Sequence, residues 1–122
     1  MKPLVTIAMI NHRTPELTKF CLRTLKRHTD LGKVKIVVVD NDSQDESLEY
    51  LRSLKNITLI ERTNITEIPT VMHANALDMA LEHADTPYFL SIHTDSIVLT
   101  DDWLDFLISE IEKSPDIAGV GS

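Results

Sequence analysis

Residues 34–47 read VKIVVVDNDSQDES, and the join between Val39 and Asp40 decides the fold. Val34–Val39 is β-branched and almost unbroken. Such a run suits a strand covered on both faces, the inner position in a parallel sheet. Asp40-Asn41-Asp42-Ser43 stops it abruptly. Ser43 and Glu46 stand at capping-box spacing, and Leu48, Leu51 and Leu54 continue a helical stripe. The spacing predicts strand, polar turn and helix in that order.

The same unit repeats on either side. Leu4–Ile10 (LVTIAMI) is strand-like. Thr14 offers an N-cap and Pro15 a first-turn proline, and Leu17, Phe20, Cys21 and Leu25 follow at helical spacing. Lys26, Arg27 and His28 close that helix, where its dipole favours cations. Toward the C-terminus, Ile57–Ile60 is a short strand. Thr70–His83 reads as a helix with Ala74, Leu77, Leu81 and Ala84 on one face. Tyr88–Ile92 is a strand, and Thr100 caps a helix carrying Trp103, Leu104, Leu107, Ile108 and Ile111. Pro115 marks its end, and Ile117–Val120 starts a fifth strand. Strands alternating with helices predict an α/β domain, a mostly parallel sheet with helices on both faces and right-handed crossovers. No linker interrupts residues 1–122, so one domain is expected. Arg62–Pro69, the longest irregular stretch, is the expected mobile loop.

A formal net charge of −7 argues against a nucleic-acid backbone or an anionic membrane surface as partner. A small phosphorylated ligand remains compatible, with a divalent cation offsetting the charge. The one cysteine, Cys21, forms no intrachain disulfide and reads as a small buried hydrophobe. The first ten residues lack a signal-peptide pattern, and no apolar stretch approaches the roughly 18 residues of a membrane span, so the cytoplasm is expected.

Ligands of open α/β sheets bind beyond the carboxyl ends of the strands. Four polar clusters stand there: Asn11-His12-Arg13, Asp40-Asn41-Asp42, Arg62-Thr63-Asn64 and His93-Thr94-Asp95. Asp40 follows a very apolar strand directly, so its carboxylate is partly desolvated and needs a partner. The sequence contains neither G-x-G-x-x-G nor G-x-x-x-x-G-K-[ST], so a bound diphosphate would take its counter-charge from a metal. His93-x-Asp95 places an imidazole and a carboxylate two residues apart. On an extended segment both point the same way, toward one Mn2+ or Mg2+. His73 lies on a helix bordering the site. His28 and His83 end helices, where a dipole role suffices.

At these residues the chain resembles the inverting GT-A glycosyltransferases, the "glycosyltransferase family 2-like" domains. The resemblance rests on VTIAMINHR, CLRTL, VVVDNDSQDES, the Asn75–Ala80 helix, YFLSIHTDS and DDWLDFL. VVVDNDSQDES is the most specific, since members usually carry V-V-D-[ND]-G-S-x-D-x-[ST]. The resemblance implies a Rossmann-like fold for nucleotide-diphospho-sugars, here minimal or truncated, with the acceptor-binding half absent. It implies a nucleotide site at Asn11, Arg13, Asp40, Asp42, His73 and Thr94, with Asp40 on the base or ribose edge. It implies that Asp95, the last acid of the family's D-x-D motif, holds Mn2+ or Mg2+, with His93 in place of the first acid. Asp42 replaces the family's usual glycine. No residue is assigned as general base; Asp101 and Asp102 read as helix N-terminal charge.

The expected function is therefore a metal-dependent glycosyltransferase domain that binds a UDP-sugar and passes the sugar to an unknown acceptor. The alternatives are a non-catalytic nucleotide-sugar-binding module, or a fragment acting with a partner chain or as an oligomer. An unrelated α/β domain of nucleotidyltransferase-like or receiver-like type is the third reading.

Overall fold

The structure, a computed structural model, describes residues 2–114 and 119–120. Strands and helices alternate throughout: β1 (Val5–Asn11), α1 (Pro15–Arg27), β2 (Val34–Asn41), α2 (Glu46–Ser53), β3 (Thr58–Arg62), α3 (Pro69–Glu82), β4 (Tyr88–Ile92) and α4 (Trp103–Ile111). The fifth strand expected at Ile117–Val120, like the stop at Pro115, falls on residues 115–118, outside the described residues.

The sheet is parallel, in the order β3-β2-β1-β4. The unbroken valine run of β2 is explained by burial on both faces. Ile36 and Val38 join Val5, Ile7 and Met9 of β1 against α1, α2 and α4, through Cys21, Leu22, Leu25, Leu51 and Leu104. Val37 and Val39 turn the other way, with Ala8, against Ala76 and Ala80 of α3. Alanines on both partners let α3 lie close to the sheet. Full burial of each large aliphatic side chain stabilises the fold by roughly 1.5–3 kcal/mol.

Handedness places the helices. The moves from β1 to β2 and from β2 to β3 step in one direction, so right-handed crossovers put α1 and α2 on the same face. The return from β3 to β4 runs the opposite way, and α3 falls on the other face. The chain thus leaves β2 toward one face and β3 toward the other, which opens a crevice between their carboxyl ends.

Two expected caps are replaced. Asp45, not Ser43, caps α2, its carboxylate accepting from the Ser47 amide at 2.9 Å. Asp102, not Thr100, occupies the N-cap position of α4. The expected loop of residues 62–69 is held by an ion pair, Arg62 Nη2 to Glu67 Oε1 at 2.5 Å, and by Asn75 Nδ2 donating to the same oxygen at 2.9 Å.

Candidate functional site

Asn11, the last residue of β1, is completely buried, and it stands opposite Asp40 in the parallel register. Its amide nitrogen donates to Asp40 Oδ1 at 2.7 Å, Ser47 Oγ at 2.8 Å and Ser43 Oγ at 3.1 Å. An amide carries two protons, so three acceptors share them. Its Oδ1 accepts from Thr18 at 2.6 Å and Thr14 at 3.2 Å. Every bonding position of Asn11 is therefore used inside the protein, as burial requires. Thr14, expected to cap α1, spends its hydroxyl here instead, and α1 has no side-chain cap.

Asp40 is held just as firmly. It is 1% exposed and accepts from Asn11 and, through Oδ2, from the Ser43 amide at 3.2 Å. Ser43 Oγ also accepts from the Arg13 amide at 3.0 Å, which ties the turn after β1 to the turn after β2. His12 adds a second tie, its Nδ1 lying 2.6 Å from the Asn41 carbonyl.

The backbone of these turns is unusual. Four non-glycine residues have positive φ: Arg13 (54°), Asp42 (53°), Gln44 (54°) and Asn64 (56°). All four follow β1, β2 or β3 at their carboxyl ends. Left-handed backbone is costly for side chains with a Cβ and concentrates at functional loops. Asp42 stands where the resembled family carries glycine, and it adopts a conformation that glycine takes freely. The loop shape is thus compatible with the substitution. The Asp42 carboxylate accepts from Gln44 Nε2 at 2.7 Å.

The crevice between β2 and β3 is a cavity of about 460 Å³ lined by Asp40, Asp42, Gln44, Leu48, Arg52 and residues 61–64. Arg52 forks onto Glu61, with Nη2 to Oε1 at 2.5 Å. The hydrogen bond it donates to Glu61, the Glu61 charge and the nearby Asp40 hold the guanidinium above its ordinary pKa. Across the crevice, Arg62 donates to Asn41 Oδ1 at 2.9 Å and to the Met72 carbonyl at 3.0 Å, so β2, β3 and α3 are locked together. Hydrogen bonds from Asn75, a backbone amide and Arg62 lower the Glu67 pKa to about 2. Arg52, Glu61 and Glu67 escaped the sequence reading because they lie outside the strand-end clusters or look like ordinary surface charge.

The turn after β4 rests against α1. Thr14 Oγ donates to Thr94 Oγ at 3.3 Å, and Cys21 Sγ approaches the His93 carbonyl at 3.7 Å. Burial, with Asp95 nearby, raises the Cys21 thiol to about 11. The imidazoles of His73 and His93 stack with centroids 5.8 Å apart. One expectation fails here. His93–Ser96 is a turn, closed by the Ser96 amide on the His93 carbonyl at 3.0 Å, and not the extended segment that would align His93 with Asp95.

Of the residues singled out from the sequence, Asn11 and Asp40 meet directly, Arg13 joins them through its backbone, and Asp42 lines the crevice with Asp40. Thr94 reaches the same network through Thr14, and His73 meets His93. His93 opens onto a different cavity, also about 460 Å³, with Ile92, Ile97, Leu99 and Trp103. Asp95 follows β4, two strands across the sheet from β2, and its side chain is exposed.

Among the described residues no three His, Cys, Asp or Glu side chains gather around one point. His93 and Asp95 are the ligand-type side chains at this turn, which does not align them as an extended segment would. That set fits an ion that completes its shell with phosphate oxygens and water, as Mg2+ and Mn2+ do. No helix among the described residues is long and apolar enough to cross a membrane.

Comparison with known proteins agrees with this geometry. The family model described as Glycosyl transferase family 2 matches residues 6–122. No curated protein sequence matches the chain. Among solved structures, the mannosyltransferase PcManGT of Pyrobaculum calidifontis, in complex with GDP-Man and Mn2+, is similar at 24% identity with a TM-score of 0.78, over 94% of this chain and 34% of that one. TarS 1-349 of S. aureus is similar at 18% identity with a TM-score of 0.72, over 100% of this chain and 39% of that one. Its complex with UDP-GlcNAc gives 18% and 0.74, over 93% of this chain and 32% of that one. The chain thus spans 32% to 39% of the length of these solved chains.

Proposed function

The chain belongs to glycosyl transferase family 2, and from that premise we propose that it binds the nucleotide sugar in a metal-dependent glycosyltransferase. The donor is a nucleoside diphosphate sugar, most simply a UDP-sugar, and the cation is Mn2+ or Mg2+. The observation that carries this reading is the Asn11–Asp40 lock. It holds a buried carboxylate at the wall of a cavity, with one oxygen on Asn11 and the other on the Ser43 amide. A carboxylate fixed in this way is ready to accept an N–H of the base or a ribose hydroxyl without reorganising. Asp42 lines the same cavity, and we assign Arg13, His73 and Thr94 to the diphosphate.

Asp95 and His93 would hold the cation. Bound there, the cation offsets the diphosphate charge and acts as a Lewis acid toward the leaving nucleoside diphosphate. In this chain Asp95 would supply the carboxylate ligand, and His93 an imidazole nitrogen where the family carries an acid. PcManGT is a mannosyltransferase in complex with GDP-Man and Mn2+, and TarS forms a complex with UDP-GlcNAc, which supports a nucleotide-sugar ligand for this chain. The acceptor, and any acid that activates it, belong to the whole enzyme. A binding module that lacks transfer activity is the second reading, and the replacement of the first D-x-D acid by His93 is the observation that favours it.

Calorimetry with nucleoside diphosphates, with Mn2+ and with a chelator, tests the proposal. Nucleotide and metal are expected to tighten each other's binding. Asp95→Ala is expected to abolish the metal-dependent part and leave the fold intact, because the side chain is exposed. His93→Ala is expected to have a smaller effect. Equal nucleotide affinity with and without metal, in a folded protein, would refute the metal-dependent reading.

A further inference from the structure

We propose that the outer face of α1 docks the protein on an anionic bilayer surface. The net charge of −7 conceals a strong segregation. Of the twelve Lys and Arg residues, five lie between positions 13 and 27: Arg13, Lys19, Arg23, Lys26 and Arg27. Glu16 is the only acid in that interval. None of the five takes part in an ion pair among the described residues, whereas Lys33, Lys35, Arg52, Arg62 and Lys113 all do. Lys19 instead lies over the Tyr50 ring, 5.5 Å from its centroid.

The helix itself is two-sided. Thr18, Cys21, Leu22 and Leu25 face the sheet and are buried. On the opposite side, Phe20, Arg23 and Arg27 follow at i, i+3 and i+7, one stripe of a helix. Phe20 is 52% exposed and Leu17, beside it, 48%. Two large exposed hydrophobes with the exposed Arg23 and Arg27 on the same side, and a single acid, Glu16, among them, fit a helix lying in a membrane interface: apolar side chains enter the acyl boundary while cations meet the headgroups. A nucleic acid would use the cations but leaves Leu17 without a role, whereas a bilayer takes up both the apolar pair and the cations beside it. Because α1 begins at the carboxyl end of β1, docking along it keeps the strand-end turns beside the surface. Local charge, not net charge, decides this, since exposed charges more than about 10 Å apart are screened from one another.

Co-sedimentation with vesicles tests the proposal. The protein is expected to bind phosphatidylcholine vesicles containing 30% phosphatidylglycerol and to ignore pure phosphatidylcholine, with binding lost between about 0.1 and 0.5 M salt. Each neutralised cation is expected to weaken binding about fivefold, the equivalent of roughly 1 kcal/mol. Arg23→Gln with Arg27→Gln therefore weakens it on the order of 25-fold. Phe20→Ser weakens binding further and leaves the melting temperature unchanged. Lys55→Gln, which removes a cation elsewhere that has no ion pair among the described residues, changes nothing. No binding to the acidic vesicles, insensitivity to salt, or equal loss with Lys55→Gln would overturn the proposal. So would tighter binding to an acidic peptide or to single-stranded DNA that is indifferent to Phe20.

Discussion

Replacing Asn11 with alanine removes the donor that faces the buried Asp40 carboxylate. Asp40 then keeps a single partner, the Ser43 amide at 3.2 Å. The hydroxyls around the vacated amide are not stranded. Thr18 retains Thr14, Ser43 retains the Arg13 amide, and Ser47 retains Asp45. The cost therefore falls on one charged acceptor, and a lost hydrogen bond to a charged group costs about 1.5–3 kcal/mol. With a urea m-value of about 1.5 kcal/mol/M, a loss near 2.5 kcal/mol moves the unfolding midpoint by roughly 1.7 M. Asn11→Asp sharpens the test. It puts a second carboxyl where an amide nitrogen lies 2.7 Å from Asp40 Oδ1. Two buried carboxylates at that distance cannot both ionise, so one is held protonated and its folded pKa rises above the unfolded value. A raised folded pKa means that stability is retained below the unfolded pKa near 4 and lost as pH climbs through the folded value. Asn11→Asp is thus expected to be far weaker than Asn11→Ala at pH 7 and to recover toward pH 5. Urea melts of both variants at the two pH values measure this. A loss below about 0.5 kcal/mol for Asn11→Ala would show that Asn11 does not lock Asp40.

Asp42→Gly is expected to stabilise or leave unchanged a loop whose φ is 53°, with a gain of up to about 1 kcal/mol, and Asp42→Val to destabilise it; paired thermal melts compare them. Glu67, with its pKa lowered to about 2 from 4.5, contributes stability that is complete above pH 4.5 and lost as pH falls toward 2. Glu67→Gln is expected to flatten that acid limb in urea midpoints taken between pH 5 and 2. Cys21, wholly buried with its thiol raised to about 11, is expected to resist a thiol reagent at pH 8 until urea unfolds the chain. Rapid labelling under native conditions would contradict that burial.

Periodicity alone determined the architecture. A β-branched run such as Val34–Val39 suits a strand between two helical layers. The spacing of Leu17, Phe20, Cys21 and Leu25 and of Leu48, Leu51 and Leu54 predicts the helices beside it, although in α1 it is Thr18, Cys21, Leu22 and Leu25 that are buried while Leu17 and Phe20 are exposed. The D-N-D-S turn after β2, with the other strand-end clusters, also marked the end of the sheet at which the candidate site lies. Tertiary structure decided what each of those polar residues does. Asn11 reads as a ligand-facing residue in sequence, but its partners Asp40, Ser43, Ser47 and Thr18 are brought together from three elements and consume its whole bonding capacity. Ser43 has the spacing of a cap but is drawn to Asn11 and Arg13, leaving the cap to Asp45. The H-x-D pair was aligned on the assumption of extended backbone, and a turn at His93–Ser96 removes that alignment. Local spacing sets secondary structure because backbone preferences act over a few residues. Hydrogen bonds across strands depend on positions far apart in the chain, and only the folded structure sets those.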